Sequence, residues 1–183
     1  MKCRHCSTEL KHTFVDLGIS PPSNSYVSKD ALKETEKCYP LKVMVCDNCW
    51  LVQTEDYTQA NKLFSDDYAY FSSVSKGWLE HAKIFSESII KQQNLNAGSF
   101  VIEVASNDGY LLKNFVAKGI PCLGIEPTNS TADTAEKLGV PVLRKFFGET
   151  LADNLVKANQ QADLICGNNV YAHVPDINDF TMG

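Results

Sequence analysis

The chain has 183 residues, 44% of them hydrophobic and 21% charged, with a formal net charge of −5. That is the make-up of a globular protein with room for one medium domain or two small ones. The negative balance argues against a large nucleic-acid footprint, which needs a basic face, and no apolar run reaches the roughly 18 residues that would span a membrane.

Residues 1–60 read as a cysteine module. Cys3-Arg-His-Cys6 and Cys46-Asp-Asn-Cys49 are two CxxC pairs, separated by 39 residues. Each pair can form a turn that aims two sulfurs at one point, and two such turns complete a tetrahedral thiolate site. Structural zinc on Cys3, Cys6, Cys46 and Cys49 is therefore expected, with His5 available but unnecessary. A disulfide framework would need an oxidising compartment, and Met1–Leu10 does not resemble a secretory signal, so a cytoplasmic location is expected. Strands are predicted around Phe14–Leu17 and Leu41–Val45, and Gly18-Ile-Ser-Pro-Pro-Ser-Asn24 reads as an irregular loop. This module holds seven Lys and Arg against eight Asp and Glu, so it offers no basic face either.

Residues 61–97 read as a connecting segment. Trp78, Leu79, Ala82, Phe85, Ile89 and Ile90 carry helical periodicity within it, and Asn96-Ala-Gly98 is the expected stop. From residue 98 to 183, strands are predicted at 101–106, 121–126, 141–143 and 163–167, with helices near 109–118, where Leu111, Leu112 and Phe115 repeat at helical spacing, 130–138 and 149–158. That alternation implies an α/β domain of Rossmann-like type, a parallel sheet with helices on both faces. Cys122 and Cys166 fall in predicted strands as small hydrophobes. Four strands make a thin sheet, and Asp179–Gly183 reads as the opening of another helix, so this domain is expected to be incomplete.

The chemistry concentrates in Val101-Ile-Glu-Val-Ala-Ser-Asn-Asp-Gly109 and Cys122-Leu-Gly-Ile-Glu126. A buried strand gives way to a polar turn that aims backbone N–H groups above the sheet edge. The second strand ends at Glu126, seventeen residues past Gly109, close to the roughly 20-residue offset at which an acid meets ribose hydroxyls. The dinucleotide fingerprint needs three glycines; here Ala105 and Asn107 stand where two would help, and Glu103 and Asp108 would repel a diphosphate. S-adenosylmethionine (SAM), whose ammonium and sulfonium welcome carboxylates, fits better. A nucleotide-free domain with a polar turn is the plain alternative.

Ten motifs in sequence carry a resemblance. After the first CxxC come Asp16-Leu-Gly18, Pro22-Ser-Asn24, Tyr39-Pro-Leu41, the second CxxC with Val52-Gln53, and Tyr68-Ala-Tyr-Phe-Ser-Ser-Val-Ser75. Then follow Glu103-Val-Ala-Ser-Asn-Asp-Gly-Tyr-Leu-Leu112, Gly124-Ile-Glu-Pro127, Phe146-Phe-Gly148 and Asn168-Asn-Val-Tyr-Ala-His-Val-Pro-Asp176. In these the chain resembles the zinc-containing, SAM-dependent C-methyltransferases that act on nucleotide-linked keto-deoxysugars. The resemblance implies a zinc-binding domain followed by a SAM-binding Rossmann-like methyltransferase domain. It also implies a reaction in which a base removes the proton beside the sugar's keto group and the enolate takes the SAM methyl. The matching catalytic candidates are Tyr70 and His173. Glu103, Ala105, Asn107, Asp108, Gly109, Glu126, Pro127, Phe147, Asn168 and Asn169 are the candidate cofactor contacts. The family's Glu-His pair lies past the last residue of this chain, which puts turnover by the 183 residues alone in doubt. The implied partner is a nucleotide-linked sugar, with no nucleic acid and no membrane. The competing readings are an RNA methyltransferase with a zinc ribbon, for which the basic patch is missing, and a non-catalytic zinc and SAM-binding interaction fragment.

Overall fold

The computed structural model describes residues 1–55, 57 and 70–183. The chain divides into two compact units, Met1–Ala69 with Pro175–Asn178, and Tyr70–Val174 with Asp179–Gly183. Residue 56 and residues 58–69, which include the first nine residues of the expected connecting segment and Tyr68-Ala69 of the aromatic motif, lie outside the described residues.

The first unit is a three-stranded antiparallel sheet, β1 (His12–Ser20), β2 (Tyr39–Val45) and β3 (Val52–Thr54), in that order. The strand expected at Phe14–Leu17 is longer than its apolar run: Gly18, Ile19 and Ser20, read from sequence as the start of a loop, continue β1 and pair with β2 through Ile19↔Pro40 and Ser20↔Tyr39. Gly18 makes this possible at φ +79°, with its N–H on the Asp16 carboxylate at 2.9 Å, and the register shifts between Asp16 and Ile19. Among the described residues the apolar core is small: Cys3, Leu10, Met44 and Cys46, with Cys6, Cys49 and Leu51 packed against them. Most of these residues are cysteines. So small a core cannot by itself offset the chain entropy of the module, and modules of this size usually depend on a metal or on disulfides.

The second unit holds a four-stranded parallel sheet made of β4 (Val101–Val104), β5 (Cys122–Ile125), β6 (Val142–Leu143) and β7 (Leu164–Cys166), in the spatial order β6-β5-β4-β7. Alternation along each strand sends Val101, Cys122 and Cys166 to one face, under α1 (Lys76–Gln93), α2 (Lys113–Val116) and α3 (Asn129–Lys137). Ile102, Val104 and Ile125 go to the other face, against Leu151 and Leu155 of α4 (Glu149–Lys157) and Phe180 of α5 (Ile177–Met182). The chain thus winds outward from β4 through β5 to β6, then crosses to the far side of β4. This α/β arrangement is the expected one, with strands within two residues of prediction.

Helix α1 starts at Ser75, whose hydroxyl accepts the Trp78 N–H at 3.2 Å. It ends at Asn94 in the left-handed region, φ 53°, with Leu95 N–H returning to Ile90 O at 2.9 Å, a Schellman-type stop. The expected stop, Asn96-Ala-Gly98, instead forms the next turn, with Gly98 N–H on the Asn96 side chain at 2.9 Å. No helix among the described residues is long and apolar enough to cross a membrane.

Candidate functional site

In the N-terminal unit the two CxxC turns have the same backbone design. Ser7 N–H returns to Cys3 O at 2.9 Å and Trp50 N–H to Cys46 O at 3.0 Å. Cys3 N–H reaches Thr8 O at 2.8 Å and Cys46 N–H reaches Leu51 O at 3.0 Å. Each turn brings its two cysteines inward, and the four Sγ atoms lie within 4.8 Å of one another. Cys3–Cys49 and Cys6–Cys46 are both 3.6 Å apart. Tetrahedral zinc with Zn–S bonds of about 2.3 Å needs sulfurs about 3.8 Å apart, so the donor set fits that ion. The cluster's donors are all cysteines, with His5 outside it.

The sulfurs are also supported from outside. Gln53 donates to Cys3 Sγ at 3.2 Å, and its own carbonyl accepts the Arg4 N–H at 3.0 Å. Hydrogen bonding from Asn48, then Thr8, brings the Cys6 thiol down to about 5. The Leu51 N–H favours the Cys49 thiolate, but burial and the neighbouring sulfurs of Cys3, Cys6 and Cys46 outweigh it and push Cys49 up to about 12. Four sulfurs this close cannot all ionise without a cation between them.

In the second unit, β4 and β7 are neighbours at the point where the winding reverses, and ligands of open α/β sheets bind beyond the strand C-termini there. The turn after β4 occupies that position. Its backbone alternates in and out of the left-handed region, with φ 56° at Ala105, 51° at Asn107 and 76° at Gly109. Gly109 is required for packing as well as conformation: a Cβ there would stand 3.0 Å from Ala135 Cβ and 3.1 Å from Ala135 Cα. Gly124 opposite lets Ser106 lie against β5, since a Cβ would overlap the Ser106 hydroxyl.

Glu126 ties the two strand ends together. One carboxylate oxygen accepts Asn107 N–H at 3.0 Å and the other accepts Thr128 N–H at 2.9 Å. Each oxygen keeps a second acceptor site. The side chains of Asn107 and Asp108 also reach another segment. Asn107 accepts Ser72 N–H at 2.9 Å and donates to Tyr70 O at 3.0 Å, while Asp108 accepts Ser73 N–H at 3.0 Å. The turn that the sequence marks for cofactor binding therefore also anchors the segment that bears Tyr70, whose side chain is half exposed.

Glu103 is wholly buried, and neither of its carboxylate oxygens has a hydrogen-bond partner. Burial drives its carboxyl well above the usual carboxylate range, restrained by Tyr110 and Asn168 close by and reinforced by the charges of Asp108 and Glu126. The second oxygen of Asp108 and the hydroxyls of Ser106 and Thr128 are buried and unpartnered too. Buried polar atoms are normally paired, so this edge holds a surplus of acceptors. A ligand bringing an ammonium and hydroxyl protons fits that set; a diphosphate does not.

Tyr110, which periodicity alone passes over in favour of Leu111, Leu112 and Phe115, is buried beside Glu103, with its hydroxyl accepting from the Asn168 amide at 3.1 Å. Trp78 of α1 packs on its ring at 5.8 Å. An aromatic directly after a turn glycine was the available signal. Asn168 and Asn169 are exposed on the loop after β7, Asn169 at φ 54°. His173 follows on the same loop, exposed, in the one-turn 3-10 helix Tyr171–His173. Phe147 faces the core, edge-on to Phe180 at 5.4 Å, and its neighbour Phe146 is the exposed member of the pair. Pro127 is half-buried after Glu126.

Residues 3–64 match the family described as "Putative zinc binding domain" (Methyltransf_13). The chain is 26% identical over 182 residues to the C-methyltransferase NovU of Streptomyces niveus, an alignment that takes in 100% of this chain and 43% of that protein. Similar solved structures include the YcgJ protein of Bacillus subtilis, 12% identical over 50% of this chain and 31% of that one, with a TM-score of 0.27. The MccD protein is 15% identical over 53% of this chain and 34% of that one, also with a TM-score of 0.27. Structural likeness of that extent says nothing about activity.

Proposed function

We propose that this chain, a relative of the zinc-containing C-methyltransferases with a zinc-binding N-terminal module, is the zinc and cofactor-binding part of a SAM-dependent enzyme. It methylates a carbon of a nucleotide-linked keto-deoxysugar through an enolate. The observation that carries the reading is the acceptor-rich edge at the switch point: Glu103 without a partner, Glu126 across from it, and the turn between them. The organisation we assign is a zinc domain over residues 1–60, a connecting segment over 61–97 and a Rossmann-like SAM-binding domain over 98–183. Cys3, Cys6, Cys46 and Cys49 hold the zinc, which is structural because four protein ligands leave no open position. The enzyme works in the cytoplasm, with no nucleic acid or membrane as partner.

SAM supplies an electrophilic methyl when bound. This chain's residues bind and orient. Glu126 would offer its second acceptor sites to ribose hydroxyls, and Glu103 would hold an ammonium. Ala105, Asn107 and Gly109 would shape the turn that holds the cofactor, with Pro127, Asn168 and Asn169 as further contacts. Of the two Phe146-Phe147 rings, the exposed Phe146 is the better placed against an adenine, because Phe147 is engaged with Phe180. Carbon becomes nucleophilic only when the adjacent carbonyl can hold the charge, so a base must meet the C–H and a donor must meet the oxygen. Tyr70 and His173 take these roles, Tyr70 through its phenol oxygen and His173 through a ring nitrogen.

Incubating the chain with SAM and a nucleotide-linked keto-deoxysugar in heavy water tests this by NMR. Deuterium should enter the carbon beside the ketone and a new C–CH3 signal should grow. Tyr70→Phe should slow the exchange by on the order of a hundredfold, the scale of one acid–base group. Exchange without methylation while SAM is bound contradicts the reaction, and equal exchange rates in the variant contradict the role of Tyr70.

A further inference from the structure

The orphaned carboxyl at the sheet edge has a consequence for how the cofactor is taken up. Glu103 lies one residue before the C-terminal end of β4, aligned with Gly124 of β5 on one side and Cys166 of β7 on the other. It shares the face that carries Val101, Cys122 and Cys166. The ionisable groups turned toward it are Asp108 from the following turn, Glu126 from the end of β5, the Tyr110 phenol, and the thiols Cys122 and Cys166. None of these brings a positive charge. Helix α1 contributes the uncharged ring of Trp78 against Tyr110, and His81 of the same helix stacks on Trp78 at 5.1 Å. A carboxylate left ionised here would be buried and facing two further acids, with only the neutral Tyr110 hydroxyl and Asn168 amide nearby to favour its charge. A buried group in that position neutralises itself by keeping its proton.

We propose that Glu103 holds a proton in the cofactor-free protein and surrenders it when a ligand ammonium arrives, so that cofactor uptake releases a proton and is itself governed by pH. This rests on the SAM reading given above. The two acceptor oxygens and the burial make the exchange one for one: the ammonium brings the positive charge that the lost proton had supplied, and the carboxylate becomes the acceptor it needs. The phenol of Tyr110, held through its oxygen by Asn168, keeps its own proton, since burial and the Glu103 charge push it up. Asn107 and Glu126 are already hydrogen-bonded to backbone or to one another, which leaves Glu103 as the group with most to gain.

Calorimetric titration with S-adenosylhomocysteine, in buffers of different ionisation enthalpy, reads the proton directly. The ligand keeps the ammonium but has no sulfonium. Close to one proton should leave per ligand bound at pH values between the bound and free pKa of Glu103, and affinity should fall about tenfold per unit of pH decrease in that window. Glu103→Gln should bind with no proton release and a flat pH profile. 5′-Methylthioadenosine, which lacks the amino-acid end, should bind the intact chain without release. Binding of S-adenosylhomocysteine with no proton release would overturn the proposal and leave the cofactor reading standing; no binding at all would overturn both.

A ligand-free measurement covers the case in which Glu103→Gln binds poorly. The folded pKa of Glu103 lies above its unfolded value, so its contribution to stability is full at acid pH and is lost as pH rises through the folded pKa. Glu103→Gln should therefore match the wild type in Tm at acid pH and exceed it increasingly toward alkaline pH. Parallel Tm curves for the two proteins would overturn the proposal.

Discussion

Ser7 at φ 60° and Trp50 at φ 64° each follow the second cysteine of a pair, a conformation that is rare for a residue with a side chain and outlying for a bulky one. Both CxxC turns accept that strain to complete their hydrogen bonds and converge their sulfurs. The spacing of the cysteines made this site legible, since ligand type and turn length are local properties. With so few apolar residues beneath it, the module depends on the ion, and metal binding is then folding free energy. Cys46→Ser should lose its zinc and unfold the first unit, read by metal analysis and by the near-ultraviolet signal of Trp50. Full metal content with unchanged stability would exclude the four-cysteine site. The double engagement of Glu126 was not legible in the same way. Its offset from Gly109 marks it as an acid at a strand end, but only the folded chain brings Asn107 N–H and Thr128 N–H to its two oxygens.

At the scale of elements, the periodicity of Leu111, Leu112 and Phe115 identified a buried face correctly, yet the helix expected at 109–118 spans only Lys113–Val116. The reason lies upstream: left-handed residues at 105, 107 and 109 spend the chain on a turn, and mixed bonds such as Phe115 N–H to Leu112 O at 2.9 Å precede a full α turn. Strand β3 was missed because three residues carry too little alternation to be read. The same turn makes Gly109 a sensitive position. Gly109→Ala should cost about 1–3 kcal/mol, combining an unfavourable φ with overpacking against Ala135. Thermal denaturation of the chain would show a lowered Tm, and a variant as stable as the wild type would contradict the packing described for that turn.

For the whole molecule, the alternation of strands and helices was enough to predict a parallel sheet, because only one hand of crossover returns a strand beside its neighbour. Which strands flank β4 was not in that pattern. The order β6-β5-β4-β7 emerges from packing on both faces, and it is this order that brings the turn after β4, the end of β5 and the loop after β7 to one edge. Nor does periodicity reveal that the turn's side chains hold the Tyr70 segment, a link across 35 residues made by Asn107 and Asp108. The chain spans 43% of the length of the C-methyltransferase it matches. We propose a SAM pocket at that edge. Titrating the zinc-loaded chain with S-adenosylhomocysteine while following Tm tests it most directly: saturable one-to-one binding that raises Tm is the predicted result, and a folded, zinc-loaded chain that neither binds the ligand nor gains stability from it would contradict the account.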